Sequence, residues 1–397
     1  MPRWTLTDAA SNVWLEEFTA NHHHTPLPAK YQWHIRKRSL HGGLSDGIDV
    51  VEIDNGPLSF AVLPTRGMGI WRGNYRGIPL GWQAPIRGPV HPKFVHESDF
   101  GGLGWLTGFD EWLCRCGLAS NGPPGEDVFT DENGQTHKTN LTLHGRIANR
   151  PADRVEVLVE EEPPYYLRVR GQVEESGLFL PRLRLTTEYT TALGSNYIEI
   201  HDVVENLKSS PAEMQLLYHC NVGSPLLEPG SRVVAPVKEM SPLTTRAAEG
   251  IDQWQVYGPP TSGFSEQVYV FELLANTQGQ TVAMLHNSNS EIGMAVRFRP
   301  EELPCFTVWK NTGALADGYV TGLEPATNYP NFKTFERKQG RVVRLAPGGR
   351  WEARWRIEVH DSREAVANVL AEISDLQNQQ TAKIHKEPHV KFSAQAK

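Results

Sequence analysis

RVEVLVEEEPPYYLRVRGQVEE, residues 154–175, carries two runs of alternating apolar and polar side chains on either side of a Pro-Pro break. Alternation with a period of two is the signature of a strand that buries one face, and the break between the runs reads as a turn. Working outward, the pattern recurs. IDVVEID (48–54) and LSFAVLP (58–64) precede it. LRLTTEYTTAL, YIEIHDVVEN, EMQLLYHCNV, QVYVFELLA, TVAMLHNS, GMAVRFRP, CFTVWKNT, GYVTGLEP, RVVRLAP and WEARWRIEVH follow it, separated by Gly, Pro, Asn and Ser. Strands this closely spaced leave no room for crossover helices, so the sheets should be antiparallel and packed face to face. The expected fold class is all-β: a large antiparallel β-sandwich, bigger than an immunoglobulin-type domain, with a C-terminal helix.

No linker-like composition interrupts the run between Tyr31 and His360, so the sandwich domain is expected over 31–360, after an N-terminal extension over 1–30. A short amphipathic helix is expected around Val13, Trp14, Leu15 and Phe18, and His22–His24 read as a solvated loop. DSREAVANVLAEISDL predicts a helix over 361–378, with Asp361 as N-cap, Glu364 three residues on, and Val366, Val369, Leu370, Ile373 and Leu376 on one face. Residues 379–397 are polar and without period, which predicts a disordered tail.

Of 397 residues, 39% are hydrophobic, enough to fill a large core, and the formal net charge of -7 is spread without blocks. A chain of this charge offers nothing to a phosphate backbone or an anionic membrane, so neither nucleic acid nor membrane is expected as a partner. There is no apolar run of membrane-spanning length and MPRWTLTDAA lacks the apolar segment of a secretory signal, which makes a cytoplasmic location the default expectation. Cys114, Cys116, Cys220 and Cys305 suit neither a disulfide framework nor a zinc site and are expected to be reduced and buried.

Residues 81–125 resist the strand pattern, being rich in Gly, Pro, Trp and charge, and long connections of this kind usually carry function. Trp82, Trp105 and Trp112 in this segment either stack on a sugar ring or fill the core. Four strand ends place polar groups in apolar surroundings: LPTRGMGIW with Arg66, LTLHGRIAN with His144, Arg146 and Asn149, LLYHCNVGSPLL with His219 and Asn221, and GLEPAT with Glu324. Taken singly each is a hydrogen-bonded strand end. Together, two histidines, a carboxylate and two arginines make a set for general acid and base work on a polyhydroxylated substrate.

In that order, the HG turn, the Y-H-x-N strand and the late GLEP motif resemble the aldose 1-epimerase (galactose mutarotase-like) superfamily. The run from RSLHGG through DNGPLSFAVLPTRGMGI, HGRIAN, LLYHCNVGSPLL, WKNTG and YVTGLEPATNYP, about residues 31–360, resembles the branch described as a domain of unknown function. The resemblance implies a β-supersandwich with a sugar site on one sheet and no metal or organic cofactor. By the same resemblance Glu324 would be the base at the anomeric hydroxyl and His219 the acid at the ring oxygen. His144, Arg66, Arg146, Asn221 and Asp252 would contact the sugar, Asp252 by order along the chain alone. The chain departs from the family's usual P-Y-F-N after the central histidine, having Cys220 and Asn221, and from a second glycine after His144, having Gly145 and Arg146. An isomerase or lyase abstracting a carbon-bound proton, and a sugar-binding protein without turnover, stay open beside the mutarotase; no oligomeric state is set.

Overall fold

The computed structural model describes residues 2–25, 27, 32–130 and 134–396, and the expected boundary at residues 30 and 31 falls outside them. Among the described residues the strands gather into a ten-stranded sheet, a fourteen-stranded sheet and a separate two-stranded ribbon of Gly125–Thr130 with Thr136–Leu141, paired antiparallel throughout except at one two-residue edge strand. The quoted stretch supplies two neighbours of the smaller sheet, Arg154–Val159 and Tyr166–Ser176, in unbroken antiparallel register with Arg182–Ala192 beyond them. Between the sheets lies one core containing Val157, Val169, Leu185, Ile200, Tyr218, Leu323 and Trp355.

The central strands of the larger sheet are buried on both faces, which is why they read as nearly unbroken apolar runs. In Ala212–Val222, Leu216, Tyr218 and Cys220 point into the sandwich core. Leu217 belongs to a second apolar cluster on the outer face, with Trp105, Phe109, Cys114, Cys116, Ala326, Tyr329 and Phe392. The segment expected to be one long loop also contains a strand, Leu113–Leu118, every residue of which is buried. With both faces covered it has no polar face to alternate, so its period was invisible. Cys114, Cys116, Cys220 and Cys305 are free and buried.

Three expectations change at the ends of the chain. Val13–Trp14 and Phe18–Asn21 are strands rather than a helix, because Thr7 and Asp8 pair with Trp14 and Val13, while Phe18–Asn21 pairs with His34–Lys37. The C-terminal helix spans Arg363–Gln377 and is capped by Ser362, whose hydroxyl accepts from Ala365 N; Asp361 instead pairs with Arg76 at 3.1 Å. Residues 379–396 are not a disordered tail. Lys383–Ile384 lies parallel to Val237–Pro242, and Phe392 is fully buried, its ring 5.5 Å from that of Tyr329. Asn331 Nδ2 donates to Phe392 O at 2.8 Å and Ser393 Oγ to Leu243 O at 2.6 Å. One buried aromatic ring and satisfied backbone groups offset the ordering entropy that the composition alone had argued against.

Phe392→Ala should weaken this docking by about 3 kcal/mol. The expected reading is faster tryptic cleavage after Lys386 and Lys391 with the rest of the chain intact, and unchanged cleavage would mean that the hydrogen bonds hold the segment without the ring.

Candidate active site

The outer face of the larger sheet brings together two residues 105 positions apart, and strand register does it. Ala212–Val222 and Tyr319–Ala326 pair antiparallel with Leu217 opposite Ala326 and Cys220 opposite Leu323, which sets His219 opposite Glu324. Both side chains leave the same face, and Nε2 of His219 lies 3.3 Å from Oε1 of Glu324. A glycine makes the room: a Cβ on Gly322 would stand 2.3 Å from that Oε1 and 3.2 Å from Cε1 of His219.

The pair is almost dry. His219 keeps 5% of its surface exposed and Glu324 2%. Phe109 and Trp309 stand edge-on to the His219 ring at 5.0 and 5.2 Å, and Trp82 and Trp105 pack on Phe109 at 5.2 and 4.7 Å. Burial pushes the Glu324 carboxyl well above the ordinary range, and the charge of Glu266 adds to this. Burial, and then the neighbouring His144, bring His219 down to about 3. Burial thus favours the uncharged form of each partner, the carboxylic acid and the neutral imidazole. Oε1 of Glu324 has no hydrogen-bond partner among the described residues.

His144 is the third member. It sits in a turn with φ 58, and Gly145, with φ 69, follows it where a Cβ would come within 2.1 Å of Ser120 O. Its Nδ1 donates to Asn121 O at 2.9 Å, its ring stands 5.6 Å from that of His219, and burial lowers it to about 4. With Nδ1 occupied, its Nε2 is a hydrogen-bond acceptor.

Other expected contacts fall elsewhere. Arg66 is buried and committed: Nε meets Glu111 at 2.6 Å, and Nη1 donates to Val90 O at 2.9 Å and Asn149 Oδ1 at 3.0 Å. Through these bonds it braces the covering loop. Asn221 is likewise buried with its amide fully used, on His219, Glu111 O and His219 O. Asp252 has a side chain 77% exposed and pairs with Lys386; no hydrogen bond or ion pair joins it to His219 or Glu324 among the described residues. Arg146, 48% exposed and 3.5 Å from Glu97, stays available beside His144. Trp112 is core and Trp105 lines the site, while Trp82 is half-buried with its indole donating to Glu111 O at 3.1 Å. Sequence reasoning missed Glu111, Phe109 and Gly322; the only signal was the acidic F-D-E-W inside an aromatic loop. Among the described residues no group of three or more His, Cys, Asp or Glu is spaced to hold a metal ion, and no helix is long and apolar enough to cross a membrane.

A family model described as Domain of unknown function (DUF4432) matches residues 45–359. A protein from Klebsiella pneumoniae subsp. pneumoniae MGH 78578, named a candidate aldose 1-epimerase, is 35% identical with a TM-score of 0.91 over 98% of both chains. A galactose mutarotase-like protein from Clostridium acetobutylicum, 14% identical, superposes with a TM-score of 0.55 over 82% of this chain and 98% of its own. The galactose 1-epimerase of Lactobacillus acidophilus NCFM, 10% identical, gives 0.52 over 88% of this chain and 99% of its own. The last two likenesses establish the mutarotase-like fold and nothing finer. No protein of curated function matches the chain.

Proposed function

The chain belongs to the DUF4432 family, and from that premise we propose that it is a mutarotase-like isomerase that interconverts the anomers of a free sugar. The observation that carries this reading is the 3.3 Å approach of His219 Nε2 to Glu324 Oε1 among aromatic side chains. Two groups holding one exchangeable proton are what anomer exchange needs. Glu324, as the anion, takes the proton of the anomeric hydroxyl while His219 Nε2–H gives one to the ring oxygen, and the bond from C1 to that oxygen breaks. After C1 turns, the aldehyde oxygen takes its proton back from Glu324 and the ring hydroxyl returns its own to His219.

In the free protein the proton rests on Glu324, so it must first pass to Nε2. Sugar hydroxyls donating to the carboxylate replace the solvation that burial removed and favour that transfer. Neutral His144 supplies an acceptor for another hydroxyl, and the aromatic walls suit the apolar face of a ring. With so little of the pair exposed, the sugar enters by displacing the half-buried Trp82 or Trp309.

The test is saturation-transfer NMR on D-galactose, D-glucose and a panel of other aldoses with purified protein. Faster exchange between anomers is expected for at least one; none across the panel would sink the reading. Solvent deuterium entering a carbon position would instead establish carbon-proton abstraction, because ring opening moves only oxygen-bound protons. Trp309→Ala should raise KM about fivefold, the loss expected from one stacking contact of about 1 kcal/mol, with kcat nearly unchanged. A fall confined to kcat would mean that the indole shields the proton pair rather than holding the sugar.

A further inference from the structure

Asn221 was expected to touch the sugar, yet it lies fully buried beneath His219. Its Oδ1 is 2.6 Å from His219 Nδ1, and its Nδ2 is 2.9 Å from Glu111 O and 3.2 Å from His219 O. The two carbonyl oxygens can only accept, so they fix which end of the amide is nitrogen. The oxygen end then faces Nδ1, and two lone pairs 2.6 Å apart would repel. A proton must lie between them, on the imidazole.

We infer that Asn221 is a positioning residue that locks His219 in the Nδ1–H tautomer, leaving Nε2 as its one exchangeable nitrogen, aimed at Glu324. The consequence is mechanical. If the proton sat on Nε2 in the neutral ring, His219 could not receive one from Glu324 and the pair could not exchange roles. Glu111 takes part with its backbone: its carboxylate holds Arg66 at 2.6 Å while its carbonyl holds Asn221. The loop that covers the site thus also sets the imidazole's protonation pattern. Asn221 and Gly322 are opposite each other in register, so the residue that orients the histidine faces the one that makes room for its partner.

The kinetic part of the test rests on the proposed mutarotation, whereas the tautomer does not, and the experiment separates them. The 15N resonances of the His219 ring in the full-length protein, assigned by their loss in His219→Gln, should show a protonated Nδ1 and a bare Nε2 at neutral pH. In Asn221→Leu, provided the melting curve shows a folded chain, Nε2–H should become populated, and kcat for anomer exchange of D-galactose should fall about 10- to 100-fold with KM little changed. Asn221→Asp keeps an oxygen at Nδ1 and should retain the Nδ1–H signal. A bare Nδ1 in the unmodified protein, which needs no variant to fold, overturns the inference, as does an unchanged single tautomer in folded Asn221→Leu. Absence of exchange with any aldose, with the Nδ1–H signal present, overturns the mutarotase reading and leaves the tautomer lock standing.

Discussion

Glu324→Gln is expected to lower the rate of anomer exchange by about 10²- to 10⁴-fold, the contribution usual for a positioned acid or base, while sugar binding changes little. Glutamine keeps the shape of the protonated carboxyl and its NH2 can donate to His219 Nε2, but it can neither give up a proton nor take one. The same variant should melt higher than the unmodified protein at neutral pH. The sign follows from linkage: the folded-state pKa of Glu324 lies well above its ordinary 4.5, so its contribution to stability is fully present below 4.5 and declines as pH rises from there towards the folded value. Glutamine has no such dependence. The gap in melting temperature between variant and parent should therefore be small near pH 4 and widen upward. Exchange rates in folded Glu324→Gln equal to those of the parent would remove Glu324 from the mechanism, and a gap that narrows with pH would mean that the carboxylate is charged and paired.

Arg66→Met is expected to destabilise the protein by about 3–5 kcal/mol, the range for removing one partner of a buried ion pair. Glu111 would lose its 2.6 Å partner inside the protein, beside Asp110, whose carboxyl burial and the charge of Glu111 already push up to about 8. Val90 O and Asn149 Oδ1 would each lose a donor. Much of the loss is the stranded charge rather than the pair itself, so Arg66→Met with Glu111→Leu should recover a large part of it. Chemical denaturation of the two single variants and the double variant checks this. A double variant less stable than either single one would show that Arg66 acts chiefly through Val90 and Asn149.

The sandwich was legible because the smaller sheet and the flanks of the larger expose one face to solvent, and stretches such as 154–175 then carry the period in plain view. Leu113–Leu118 was not legible, since burial on both sides erases alternation. His219 and Glu324 could be found as ionisable groups at apolar strand ends, but their juxtaposition depends on the register between Ala212–Val222 and Tyr319–Ala326, a long-range property that no local pattern encodes. Arg66 and Asn221 show the complementary failure. A buried polar residue near a site looks the same in sequence whether it faces the ligand or holds up the residue that does. Only the partners, Glu111 in both cases, distinguish the two. Asp252 was assigned by order alone, and order does not report which surface a residue reaches.

The parallel pairing of Lys383–Ile384 with Val237–Pro242 has a consequence for biosynthesis. Chains emerge from the ribosome N-terminus first, so this clamp is translated after every other strand of both sheets. Until then the hydrogen-bonding rim at Val237–Pro242 stands open to other nascent chains, and the apolar groove that will take Phe392 is vacant. Closing this seam must therefore wait for residues 383–392, and slow translation or early termination near residue 383 should leave molecules with both sheets formed yet prone to stick to one another.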